Sequence, residues 1–171
     1  MPDLIIIAGP NGAGKTTFAR EYLSAECAGV AFVNADEIER ALRAADPAAS
    51  EIAAAREMLV QMDAIIRAGQ SLAIETTLAS LTYVRKIPAW RAAGYAVRLI
   101  YVRLPNVEAS LERVRRRVAS GGHNIPEATI RRRFGRSLDY LEKFYKPLVD
   151  KWYVWESLDG GFRLAESWDD Q

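Results

Sequence analysis

The stretch Gly9-Pro10-Asn11-Gly12-Ala13-Gly14-Lys15-Thr16-Thr17 has the spacing G-x-x-x-x-G-K-[ST]. Glycines at these positions let the backbone turn tightly, so several N–H groups converge on one point. A helix opening at Lys15 adds its positive end to them. Lys15 then supplies an ammonium for β- and γ-phosphates, and Thr16 a hydroxyl for Mg²⁺. From Gly9 to Thr17 the chain therefore reads as a site for a nucleoside triphosphate, ATP or GTP, with Mg²⁺. Such a loop works only between a strand and a helix.

Two carboxylates fall where a phosphate site of this kind can use them. Asp36 follows the apolar run Val30-Ala31-Phe32-Val33, and Glu75 follows Ser71-Leu72-Ala73-Ile74. In open α/β sheets, ligands bind at the carboxyl ends of the strands. A phosphoryl acceptor hydroxyl needs a carboxylate to take its proton, and Mg²⁺ needs oxygen ligands. Asp36 is the candidate base, with a share in organising Mg²⁺. The plainer reading makes it the N-cap of a helix over Glu37 to Arg43. Glu75 and Thr77 are candidates for holding substrate or water around the metal, with Thr76 or Thr77 equally able to cap the next helix. Glu75 at the end of an apolar strand would be costly to bury without a partner. Arg40 is either a substrate contact or a solvated helix charge.

Between Glu112 and Arg136 stand eight arginines against two glutamates, a local balance of +6. Two arginine clusters flank Ala119-Ser120-Gly121-Gly122-His123-Asn124-Ile125-Pro126, so helix, glycine-rich loop and helix read as a lid. Closing it would bring arginines onto phosphates whose charge shifts in the transition state. Arg117 and Arg132 are the candidate catalytic arginines, and His123 is a candidate substrate contact. Consecutive arginines cannot share one face, so at least half must be surface charges or ion-pair partners. A nucleic-acid backbone is the competing partner. No aromatic residue interleaves before Phe134, which argues against it.

The elements that must position these residues alternate. Apolar runs at Leu4–Ala8, Val30–Val33, Ser71–Ile74, Ala96–Val102 and Trp152–Trp155 predict five strands covered on both faces, hence mostly parallel. Helical spacing follows at Lys15–Ala25, Ala48–Ala68, Ser80–Ala93 with Pro88 as an interruption, Asn106–Val118 and Pro126–Val149. This order predicts an α/β fold in three layers, a P-loop hydrolase or kinase fold with a mostly parallel five-stranded sheet and an arginine-rich helical lid over about 106–136. Leu158–Gln171 could form a hairpin around Gly160-Gly161. Trp152, Tyr153 and Trp155 read as strand packing.

With 171 residues, half of them hydrophobic and 26% charged, the chain suits one globular domain. Lys and Arg total 23 and Asp and Glu 22, so whole-molecule charge predicts neither a nucleic-acid coat nor membrane binding. One cysteine, Cys27, cannot form an internal disulfide, and one histidine cannot build a histidine-rich metal site. No apolar run approaches the roughly 20 residues of a membrane span. Leu4–Ala8 is too short for a secretory signal, and the expected location is cytoplasmic. Asn-Lys-x-Asp and Ser-Gly-Gly-Gln are absent, which argues against a GTPase and a transporter ATPase.

Together the pieces GPNGAGKTTFAR at 9–20, FVNADEIER at 32–40, AIETTL at 73–78, GYAVRLIYVRL at 94–104 and RVASGGHNIPEATIRRRF at 117–134 resemble the zeta-toxin-like family of small P-loop kinases. The resemblance implies ATP- or GTP-dependent phosphorylation of a small-molecule hydroxyl, UDP-N-acetylglucosamine in the characterised toxins, and a helical antitoxin over the nucleotide site. It implies Lys15 and Thr16 as phosphate and Mg²⁺ residues, Asp36 as base, Glu75 and Thr77 on the substrate side, and two lid arginines on the phosphates. Ala79 stands where that pattern has arginine, and the chain is shorter than typical toxins. The acceptor therefore stays open between a UDP-sugar, another metabolite and a nucleic-acid end. An RNA-binding ATPase and a nucleotide-dependent interaction module without kinase activity are the other readings.

Overall fold

The computed structural model describes residues 1–27, 29–122 and 124–170. Its centre is β1 (Asp3–Ala8), whose apolar residues divide between two faces. Leu4, Ile6 and Ala8 join one core and Ile5 and Ile7 the other, all with no exposed surface. A strand buried on both sides reads as a continuous apolar run rather than an alternating one.

The sheet order is β2-β3-β1-β4-β5-β6, with β2 at Ala31–Val33, β3 at Leu72–Thr76, β4 at Ala96–Arg103, β5 at Lys151–Leu158 and β6 at Gly161–Ser167. The first five are parallel, and β6 pairs antiparallel with β5. The sheet thus has six strands among the described residues where five were expected. The sixth is one arm of the hairpin. Its residues Gly161, Arg163, Leu164 and Ala165 are exposed, so it carries no buried apolar run to announce it.

Helix α1 (Lys15–Glu26) covers one face through Phe18, Ala19 and Leu23. On the other face lie Met58 and Met62 of α3 (Glu51–Arg67) and Ile87 and Trp90 of α4 (Ile87–Ala92). Helix α4 is far shorter than the Ser80–Ala93 expected, and Pro88 sits in its first turn, where a missing N–H costs nothing. Helix α2 (Ala35–Ala45) begins earlier than Glu37 and packs against α3.

The lid segment consists of α5 (Val107–Ala119) and α6 (Glu127–Tyr140), joined by a small core of Leu111, Val114 and Ile130. Helix α6 runs on into one π-helical turn, Leu141–Tyr145, and ends there rather than at Val149. Its far end is fixed in the core. Ser137 Oγ and the Tyr101 hydroxyl lie 2.8 Å apart, Leu141 is buried, and the Tyr145 hydroxyl donates to the Ser80 carbonyl at 2.7 Å. Helix α6 is therefore fixed to the core at its C-terminal end.

Gly9 closes the strand-to-loop turn with φ +148°, and a side chain there would come within 2.3 Å of the Val102 carbonyl oxygen. Gly69, at the end of α3, has φ +65° but open space around it. Gly9→Ala is expected to cost roughly 3 kcal/mol or to prevent folding. Gly69→Ala should cost only about 1 kcal/mol. Urea unfolding of both variants checks this ranking.

Candidate active site

The parallel register sets the site. Ile7 stands opposite Glu75, so β3 delivers its carboxylate two residues short of Gly9. Beyond Glu75 the chain turns sharply: Leu78 has φ +59°, a left-handed conformation costing roughly 1–2 kcal/mol in a residue other than glycine. Its side chain is buried in the core, and its N–H donates to Thr76 Oγ1 at 3.1 Å, which holds the turn.

Around Glu75 the loop, β2 and β3 meet. Thr16 Oγ1 donates to Glu75 Oε2 at 2.8 Å, and Asn34 Nδ2 donates to the same oxygen at 2.7 Å. Lys15 Nζ lies 3.8 Å from Glu75 Oε1 and donates to the Pro10 carbonyl at 3.2 Å. Both charged side chains are over 90% buried. Burial holds the Lys15 ammonium below its ordinary value, with Glu75 and Asp36 opposing and Arg117 and Arg133 adding to the fall. Burial likewise pushes the Glu75 carboxyl up, against the pull of Lys15 and the Thr16 hydrogen bond.

Asn34 has a second role. Its Oδ1 accepts from the Asp36 N–H at 2.8 Å, making Asn34 the N-cap of α2. The structure therefore corrects the reading of Asp36 as the cap. Asp36 lies in the first turn of α2, exposed, with a charge that acts on both Lys15 and Glu75. Arg40 is exposed one turn further along, and Thr77 is half-buried beyond the end of β3.

Gly14 caps α1 in a left-handed conformation, with no side-chain cap and no acid in the first turn. Helices α2, α3 and α5 are capped by Asn34, Ser50 and Asn106, each with an acid following. The positive end of α1 is thus left to the loop, the arrangement suited to an anion.

Helix α5 packs on the phosphate loop directly. Ser110 Oγ donates to the Asn11 carbonyl, and the Ser110 carbonyl and Arg113 Cβ crowd Gly12. Four of the eight arginines in this segment are committed elsewhere. Arg115 and Arg131 pair with Glu127, Arg116 with Glu112, and Arg113 reaches the end of β5. Arg117 acts electrostatically on Lys15. On α6, Ile130 and Ser137 are buried and Arg133 is half-buried between them, whereas Arg132 is exposed on the other side of the helix. Arg133, which lies 3.9 Å from a Glu51 carboxylate oxygen, also acts on Lys15. His123 lies outside the described residues.

The sequence reading gave Asn34 no role. Asn immediately before a helix is a cap signal. The Ile130, Phe134, Ser137 spacing also fixes which side of α6 turns inward.

The zeta toxin family profile matches residues 1–151. The chain belongs to the zeta toxin family. A protein of Haemophilus influenzae is 28% identical over 130 residues, covering 76% of this chain and 91% of its own. The structure of the PezAT chromosomal toxin–antitoxin system of Streptococcus pneumoniae superposes with a TM-score of 0.69 at 15% identity, over 100% of this chain and 73% of that one. AvrRxo1-ORF1:-ORF2 with ATP gives 0.70 at 20%, over 98% and 58%. The Pnkp1/Rnl/Hen1 RNA repair complex gives 0.68 at 25%, over 84% and 46%. By family and fold this zeta toxin relative is a P-loop kinase. Among the described residues no helix is long and apolar enough to cross a membrane.

The raised pKa of Glu75 has a sign that can be measured. The folded chain holds that proton more tightly than the unfolded chain, so Glu75 contributes stability at low pH that is lost as pH climbs above 4.5 toward the raised value. Urea unfolding at about pH 4 and about pH 8 should show Glu75→Gln gaining on the wild type as pH rises. A gap that narrows or stays constant contradicts the burial account.

Proposed function

We propose that the chain transfers the γ-phosphoryl group of ATP or GTP to a hydroxyl of a small molecule, a UDP-sugar being the first class to test. The observation that carries this reading is the Thr16–Glu75–Asn34 bridge, which ties the phosphate loop to the strand ends where Asp36 stands.

The donor set fits Mg²⁺, which takes one or two protein oxygens and completes its shell with phosphates and water. Thr16 Oγ1 would hold the ion, with Glu75 orienting its water ligands and Asp36 sharing that task from the mouth of the site. When bound, Mg²⁺ neutralises charge on the β- and γ-oxygens. Lys15 lies along the phosphates, leaving the Pro10 carbonyl for them. Asp36 accepts the proton of the acceptor hydroxyl as its oxygen bonds to the γ-phosphorus. The bond from that phosphorus to the β,γ-bridging oxygen breaks, and the nucleoside diphosphate leaves with the electron pair. Arg117 and Arg133 meet the charge on the transferring oxygens when the lid closes. Arg40, Thr77 and His123 form the acceptor side.

The likeness to the PezAT toxin–antitoxin system supports an antitoxin-type protein partner. A second reading places the acceptor hydroxyl on a nucleic-acid end. The likeness to the RNA repair complex favours it, and steeply salt-dependent acceptor binding would distinguish it.

A mass-spectrometric search for added phosphate, with ATP, Mg²⁺ and a panel of sugar nucleotides and metabolites, tests both. Asp36→Asn should slow transfer by about 10²–10⁴-fold with ATP affinity nearly unchanged, whereas Lys15→Ala should lose binding. Arg133→Ala should slow transfer by about 10²-fold or more and Arg132→Ala far less. Tight ATP binding with no acceptor phosphorylated would defeat the kinase reading.

A further inference from the structure

The family match ends at residue 151, so the hairpin formed by β5 and β6 lies almost wholly outside it. The hairpin nevertheless packs on the phosphate loop. The Phe162 ring stands beside Gly14, 3.4 Å from where a side chain there would begin. Phe162 is set edge-on against Phe18 of α1, with centroids 5.0 Å apart and planes at 89°. Phe18 in turn packs against Trp155 of β5 at 5.3 Å. Phe162 is therefore held by Phe18 of α1, which β5 in turn backs through Trp155.

A second contact closes the same flank. Arg113 of α5 donates to Ser157 Oγ at 2.6 Å and reaches the Ser157 and Leu158 carbonyls at 3.5 Å. Its Cβ lies 3.0 Å from where a side chain on Gly12 would begin. Gly12 and Gly14, both left-handed, are thus walled by the lid helix and by the hairpin, and Arg113 joins the two walls.

Direction along the phosphate chain follows from the sheet order. Thr16, Glu75, Asn34 and Asp36 gather on the β3 and β2 side of β1, which makes that side the γ-phosphate end. A triphosphate seated in the loop must then leave its nucleoside toward β4, β5 and β6. The surface it meets there carries the Phe162 ring and the Arg113–Ser157 contact.

We propose that the C-terminal hairpin is the nucleoside wall of the site, with the Phe162 ring as the face against which the base packs. The inference rests on the nucleotide-binding part of the reading above and assigns a role to a segment outside the family match. Stacking on an aromatic ring is open to any base, so the ring adds affinity rather than choice between adenine and guanine.

The test uses the full chain with Mg²⁺ and compares ATP, GTP and inorganic tripolyphosphate by titration calorimetry. Phe162→Ala should weaken ATP and GTP each by roughly tenfold while tripolyphosphate stays within about twofold. Phe162→Tyr should restore ATP binding. Phe162→Leu, which keeps apolar bulk beside Phe18, should behave like Phe162→Ala and covers the case in which the smaller side chain unfolds the protein. Equal weakening of ATP and tripolyphosphate would overturn the proposal by showing that the ring only shapes the loop. Unchanged ATP binding would overturn it too. A wild type that binds tripolyphosphate no more weakly than ATP overturns the nucleoside wall alone, whereas one that binds neither overturns the nucleotide-site reading beneath it.

Discussion

One buried carboxylate joins the parts of this site. Glu75 is held by the Thr16 hydroxyl and the Asn34 amide on one oxygen and faces the Lys15 ammonium with the other. Desolvation works against both charges, and their attraction offsets it only in part. Such a pair is a poor way to stabilise a fold. It fixes the Thr16 hydroxyl at the end of the phosphate loop, the cap that starts α2, and through that cap the place of Asp36.

The rest of the architecture serves that junction from two sides. On the β2 and β3 side, Asn34 hands the backbone into α2 so that Asp36 faces solvent near the buried pair. On the other side, α5 rests on the loop through Ser110 and the hairpin rests on it through Phe162. Helix α6 is anchored at its C-terminal end by Ser137, Leu141 and Tyr145, and its N-terminal half is held to α5 by Ile130 and the Arg131–Glu108 pair.

The phosphate loop was legible because its chemistry is local: glycines, a lysine and a threonine in fixed spacing between a strand and a helix. The parallel sheet was legible from runs such as Leu4–Ala8 that are apolar on both faces. The position of Glu75 beside Thr16 was not, because it depends on β3 pairing with β1, and chain order does not disclose strand order. The capping role went to Asn34 instead of Asp36 because the helix begins two residues earlier than its apolar pattern suggested. The rotation of α6 was not legible from a run of three arginines, and it is Ile130 and Ser137 that put Arg133 on the half-buried side and Arg132 on the exposed one. The sixth strand escaped notice because an exposed edge strand has no buried run to betray it.

The central claim is that Glu75 organises the metal side of the phosphate loop through Thr16. Calorimetric titration of ATP into the wild type and Glu75→Gln, each with and without Mg²⁺, addresses it directly. Mg²⁺ should tighten ATP binding to the wild type, and that gain should shrink by about tenfold or more in the variant. Without Mg²⁺ the variant should bind ATP at least as well, because a negative charge beside the phosphates is gone. An equal Mg²⁺ gain in both proteins would contradict the account and leave Glu75 as a structural partner of Asn34 and Lys15 alone.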